Sequence, residues 1–257
     1  MKPDFNGGRI MRFFCHRLVA FLAIVTVYPV LPEARAWHDK THISIAEAAG
    51  FDLWYSAAAP DVAKSKKMFN PVEGPNHYFN NSQERRVTQE LVMDQVCRYN
   101  DPEDREGHLY GAIISSVREY REAKAQNKYA KYPLVFCAHY CGDLSMPLHN
   151  TAYDQFNMDH HAVNDGMIES TVRSNIDHIR RMIRPPVIHN ETDLAREIAS
   201  IAETARTLGN RMRKENRDMT TDEAYSQIVR SASLFNAILT WLGQSGQAVG
   251  DCMAVNE

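Results

Sequence analysis

Residues 132–150, YPLVFCAHYCGDLSMPLHN, restrict the fold more than any other part of the chain. Leu134, Val135, Phe136, Ala138 and Tyr140 place apolar groups on nearly every face of a helix. Pro133 can open that helix, and Pro147 must end or bend it. A helix apolar all round belongs in the middle of a protein, with its neighbours wrapped about it. Yet His139 and Asp143 lie inside it, four residues apart and stacked on one side. A carboxylate buried there is costly unless a positive charge compensates it, and a metal ion would do so directly.

The same spacing recurs downstream. Ile168, Val172, Ile176, Ile179 and Ile183 predict a helix stopped by Pro185-Pro186. Extended backwards, it carries Asp165 and His161 on its core-facing side. His160 competes with His161, but the residue four on from it is Asn164, a poorer ligand. His149 follows two residues after Pro147, and AAAPDVAK and GPNHYFNN add Asp61 and His77 upstream. A single His-x-x-x-Asp is usually a surface pair or a hydrogen-bonded core pair. Two of them on apolar faces, flanking another histidine, form a set of imidazoles and carboxylates suited to two or more zinc ions. His16, His38, His108, His160, His178 and His189 read as structural or solvated, and Arg180, Arg181 and Arg184 as counterweights to a helix C-terminus.

Helical periodicity dominates the rest, and no alternating strand pattern competes with it. Leu194, Ile198, Ile201, Ala205 and Leu208 form one stripe. Tyr225, Ile228, Ala232, Phe235, Leu239 and Leu242 form another, opened by the capping box Thr220-x-x-Glu223 and closed at Gly243. Residues 41–49, 84–98 and 104–126 also read as helices. With no repeat or linker to divide it, the chain is expected to fold as one all-α, multi-helix domain over residues 37–257.

Residues 1–36 read as a secretory signal: Arg9, Arg12 and Arg17, then the uncharged run Leu18–Tyr28, then Ala34-x-Ala36. The expectation is an exported protein, periplasmic or secreted, starting at Trp37. Of 29 Lys/Arg and 32 Asp/Glu, the leader holds five and two, leaving 24 and 30, a net charge of −6. A protein gripping phosphodiesters mainly through basic side chains would lean the other way, so bound metal is the expected source of positive charge. Cys97, Cys137, Cys141 and Cys252 remain; Cys137 and Cys141, one helical turn apart, read as buried thiols or as partners of distant cysteines.

Trp37 after a processing site, His42 five residues later, Asp61, His77, HYCGD with PLH, and the closing His161-x-x-x-Asp165 resemble the zinc-dependent phospholipase C family. The single-strand-specific zinc nucleases of fungi and plants are its relatives. The resemblance implies a mostly helical fold with three zinc ions in a cleft. Asp61, His77 and His139 would hold one ion. Asp143 would bridge it to a second, held by His42 and by the α-amino nitrogen and carbonyl oxygen of Trp37. His149, His161 and Asp165 would hold the third. A hydroxide bridging the Asp143-linked pair would attack phosphorus in line, with Asp61 orienting water or only binding metal. The short interval between His149 and His161 puts a phospholipid, approached from a membrane surface, first among substrates. Lys40, Val62 and Gly74, at the head-group positions, supply no cage for choline. Tyr78, placed to stack on a base or only to pack, keeps single-stranded nucleic acid as the alternative. A zinc- or surface-binding protein without hydrolytic activity is the third reading.

Overall fold

The computed structural model describes residues 37–243, and the signal reading and Cys252 lie outside them. Among the described residues there are ten α-helices and no strand. They are α1 (Asp39–Ala48), α2 (Ala59–Lys64), α3 (Asn70–Glu73), α4 (Gln89–Val96), α5 (Leu109–Ala125), α6 (Lys131–Leu144), α7 (Gln155–Asp165), α8 (Ile176–Met182), α9 (Glu191–Glu215) and α10 (Thr221–Trp241). Short 3₁₀ turns at Trp54–Ser56, Gly74–His77, Pro147–Asn150 and Val172–Asn175 link several of them. No helix here is long and apolar enough to cross a membrane.

Helix α6 is the expected centre. From Leu134 to Leu144 only Phe136 escapes full burial, and α5, α10 and α1 pack around it. Two apolar clusters flank it, one built on α5, α6 and the buried sides of α9 and α10. The other gathers Trp37, Ile45, Met146, Leu148, Ile168 and Leu208. The turn leaving α6 is clamped by α9, where a Cβ on Gly209 would fall 2.8 Å from Thr151 and 3.0 Å from the Pro147 carbonyl. Glycine there lets α9 lie directly on the segment that carries His149.

Three boundaries differ from the sequence expectation. The helix expected to run from His161 to Ile183 breaks after Asp165, where Gly166 follows and the His38 amide takes the Asp165 carbonyl. Ile168 and Val172 stay buried across the break, which is why the stripe keeps its phase. Residues 84–88 run non-helically because the Val87 amide is bonded to Glu203, and α4 starts only after the Thr88 cap. Residues 104–108 are pinned by the His108 amide on the Pro75 carbonyl, so α5 starts at Leu109.

The capping box at Thr220 and Glu223 is formed on both sides. Arg217 donates to both Glu223 oxygens at 2.8 and 3.0 Å and pushes that carboxyl down to about 2 from its ordinary 4.5. A lowered carboxylate stabilises the fold above its ordinary pKa, and the contribution is lost as pH falls towards about 2. Glu223→Gln, which keeps a capping side chain but not the charge, is expected to cost about 1 kcal/mol at neutral pH after solvent screening. Thermal melts would show a deficit of roughly 2–4 °C at pH 7 that closes on acidification.

Candidate metal centre

Helix α6 carries His139 and Asp143 on one side, α1 brings His42, α2 brings Asp61, and the turn after α3 brings His77. The turn after α6 brings His149, and α7 brings His161 and Asp165. Every one of these side chains is buried except Asp61, whose side chain keeps 14% exposure. Their donor atoms converge in three groups: His42, His139 and Asp143; Asp61, His77 and His139; His149, His161 and Asp165.

The spacings decide what these groups can do. His77 Nδ1 and His139 Nε2 are 3.1 Å apart, and Asp143 Oδ2 lies 2.9 and 3.3 Å from them. Asp61 Oδ1 is 3.7 and 3.6 Å from the same two nitrogens. The other Asp143 oxygen, Oδ1, faces His42 Nε2 at 3.3 Å. In the third group, His149 Nε2 and His161 Nε2 are 3.0 Å apart, with Asp165 Oδ2 3.3 Å from the latter. A tetrahedral zinc with bonds of about 2.0–2.1 Å sets its ligand atoms about 3.3 Å apart. The observed edges scatter around that value.

Outer partners aim the imidazoles. His77 Nε2 donates to Glu73 at 3.1 Å, His139 Nδ1 to the Ala57 carbonyl at 2.9 Å, and His161 Nδ1 to Asn157 at 2.7 Å. Each bond leaves the opposite nitrogen facing its group, the arrangement that orients metal-bound histidines. Glu73 is itself held by the Tyr140 hydroxyl at 2.8 Å. The result is imidazole lone pairs pointed at one another, which a cation reconciles. Buried polar atoms without a hydrogen-bond partner include both Asp143 oxygens, both Asp165 oxygens, both His42 nitrogens and His149 Nδ1. The donor set therefore fits metal ions of the zinc type.

The protonation equilibria agree. Burial alone would raise Asp143, but His139 beside it, and then His149 and His42, hold it well below the usual carboxylate range. Asp61 is also lowered, against its burial, by His139 and Lys64. Asp165 goes the other way: burial, then the neighbouring Asp143 charge, pushes it well above the usual range. Burial lowers His42 and His149, whereas Asp143 and Asp61 overcome burial to raise His139.

Several contributors carry no signal in the sequence. Glu73, Asn157 and the Ala57 carbonyl orient ligands, and Lys64 places its ammonium 2.7 Å from Asp61 Oδ1 and 3.3 Å from His77 Nδ1, as a cation among these donors. Gly142 is another. A Cβ there would lie 2.5 Å from His42 Nδ1, whose ring stacks on His139 at 3.7 Å. Gly→Ala inside a helix normally stabilises by about 0.5–1 kcal/mol. Gly142→Ala is instead expected to displace the His42 ring and cut turnover by about a hundredfold with helicity unchanged. Metal analysis, circular dichroism and rate measurements on the variant check this.

The remaining assignments sort cleanly. His160 turns away to Asp218 at 2.7 Å, resolving its competition with His161. His108 is structural, bonded to Asp104 and Asn76 at 2.8 Å each. Among the described residues no disulfide forms: Cys137 and Cys141 are buried and Cys97 is exposed. Trp37 is fully buried in the second apolar cluster, so the chain enters the body beside the end of α7. The Tyr78 ring packs tilted against that of Tyr153 at 4.7 Å, and the Tyr153 ring in turn lies edge-on to His161 at 5.8 Å.

An all-helical chain folded around three imidazole–carboxylate groups belongs to the class of helical proteins with metal-binding capacity. The family model described as S1/P1 Nuclease matches residues 15–238, and the chain belongs to that family. It is accordingly a zinc-dependent phosphodiester hydrolase. No individual curated protein matches it.

Proposed function

We propose that the protein cleaves single-stranded nucleic acid. The reading rests on the family and, in the molecule, on the aromatic pair Tyr78 and Tyr153 beside His77 and His161. Aromatic rings beside a phosphodiester site can serve as a platform for an unpaired base, which a duplex would not present.

Asp61, His77, His139 and Asp143 would hold one zinc ion. Asp143, His42 and the main-chain nitrogen and oxygen of Trp37 would hold a second, and His149, His161 and Asp165 a third. Zinc so held supplies Lewis-acid polarisation of the phosphoryl oxygens and water ionised near pH 7. Asp61 is the exposed member of the three carboxylates, at 14% against 0% for Asp143 and Asp165. Held ionised by His139 and Lys64, it can accept a hydrogen bond from the attacking water and so orient it. Lys64, at the same edge, meets a non-bridging phosphate oxygen. The attacking water, having given a proton to solvent, would bond through its oxygen to phosphorus as the P–O bond to the leaving group breaks, and the leaving oxygen would take a proton from water.

A phospholipase C activity is the second reading. Four residues, 151–154, join the His149 turn to α7, so no inserted segment builds a wall for a polynucleotide there. The test is hydrolysis by the chain beginning at Trp37, zinc-loaded, of single-stranded DNA and RNA against phospholipid vesicles, with and without chelator. Chelator-sensitive cleavage of nucleic acid supports the first reading. Lipid turnover alone replaces it with the second, and inactivity on all three with zinc bound overturns both.

A further inference from the structure

Between Asp61 and Glu73 the chain forms a strap whose feet stand on the candidate centre and whose middle faces solvent. Every residue from Ser65 to Val72 is exposed. Met68 is 77% exposed, Val62 56%, Phe69 50% and Val72 39%. Elsewhere among the described residues, no stretch of similar length shows more than two exposed large apolar side chains. Lys66 and Lys67 precede this tip, and neither has an ion-pair partner among the described residues.

The strap is fixed in shape. The Asn70 side chain donates to the Lys64 carbonyl at 2.9 Å, the Phe69 amide to the Lys66 carbonyl at 2.9 Å, and the Glu73 amide to the Phe69 carbonyl at 2.8 Å. Met68 and Phe69 are therefore presented outward instead of folding back onto the apolar clusters. Holding such groups in water is unfavourable, and a concentration of them beside a site marks an interaction surface.

We propose that this strap docks the protein on an anionic lipid surface, with Lys66 and Lys67 on the phosphate headgroups and Val62, Met68, Phe69 and Val72 among the acyl chains. The lysines specify an anionic partner, since they stand out from a chain with more Asp and Glu than Lys and Arg, 32 against 29. The aliphatic side chains select lipid over nucleic acid. A polynucleotide would use the lysines and stack on Phe69 but leave Val62, Met68 and Val72 in water. A lipid interface takes both sets, as amphipathic anchors do. The proposal goes beyond the hydrolytic reading, because it concerns the surface on which the chemistry is carried out and holds for either substrate.

Co-sedimentation with vesicles of phosphatidylcholine, alone or mixed with phosphatidylglycerol, tests it on the zinc-loaded chain beginning at Trp37. The expected result is partition onto the mixed vesicles that weakens with salt. It should fall roughly thirtyfold or more in a Lys66→Glu, Lys67→Glu variant, with a comparable loss in Met68→Ser, Phe69→Ser. Hydrolysis of the small diester bis(p-nitrophenyl) phosphate should not change, because none of these four side chains reaches the metal-binding groups. No partition, or partition equal in parent and variants, overturns docking. A raised KM for single-stranded oligonucleotide in the variants without vesicle binding also overturns it, in favour of a nucleic-acid track. Absence of diester hydrolysis in the parent sinks the hydrolytic reading and leaves the docking result to stand or fall by itself.

Discussion

Asp143→Ala is expected to abolish turnover, by at least about a thousandfold or roughly 4 kcal/mol of barrier, and to remove more than one metal ion. Asp143 is fully buried and uses both oxygens, Oδ2 towards His77 and His139 and Oδ1 towards His42. Its loss strips the negative charge from two donor groups at once and leaves buried imidazoles facing one another without it. Asp165→Ala is the control. Asp165 serves only the group of His149 and His161, so that variant should lose one ion and keep the other groups. Metal content of the two purified variants, with single-turnover rates on a small diester, separates them. If Asp143→Ala and Asp165→Ala each lose one ion, the shared-carboxylate assignment is wrong.

Asp143 is legible in the sequence because of the physics of α6. A helix with no polar face has to be central, and within it an i, i+4 imidazole and carboxylate have nowhere to go but towards each other and a common cation. His161 and Asp165 are legible from the same four-residue spacing, found by extending the Ile168 stripe backwards, even though the helix expected to continue beyond them breaks at Gly166. Ile168 and Val172 re-enter the core in phase, so periodicity does not report the break. Glu73 and His77 also stand four apart, but Gly74-Pro75 between them reads as a turn and hides the pair. Gly142 is unreadable in principle, since its role is set by the ring of His42, about a hundred positions away in sequence. Lys64 gives no signal because a lysine near a proline-opened short helix normally points into water; here Asp61 and His77 draw it inward. The choice between lipid and nucleic acid leans on one interval, and an interval length says which wall is short, not what lies against it.

Chelation should cost stability as well as activity, increasingly so as pH rises. Removing the ions leaves Asp61, Asp143 and Asp165 among buried imidazoles, and Asp165 responds by taking a proton, because burial and the Asp143 charge push its carboxyl well above the ordinary 3.8. A carboxyl raised in the folded state binds its proton more tightly there than in the unfolded chain. It destabilises the metal-free fold progressively as pH climbs from the ordinary value towards the raised one, and fully above that. Metal affinity changes in the reinforcing direction, since His139, whose pKa Asp143 and Asp61 raise, must be neutral to bind. One ion held at a thousand times its Kd contributes about 4.1 kcal/mol. In a chain of this size each kcal/mol moves Tm by roughly 2–4 °C. Loss of even one ion is thus expected to lower Tm by roughly 8–16 °C near neutral pH. The gap between zinc-loaded and chelated protein should narrow steadily towards pH 4, where Asp165 is protonated in the folded chain and His139, protonated as well, must give up its proton before it can hold metal. Melts of matched samples across that range check both the size and the sign. A gap that widened on acidification would mean that the ions bind through groups other than these histidines and carboxylates.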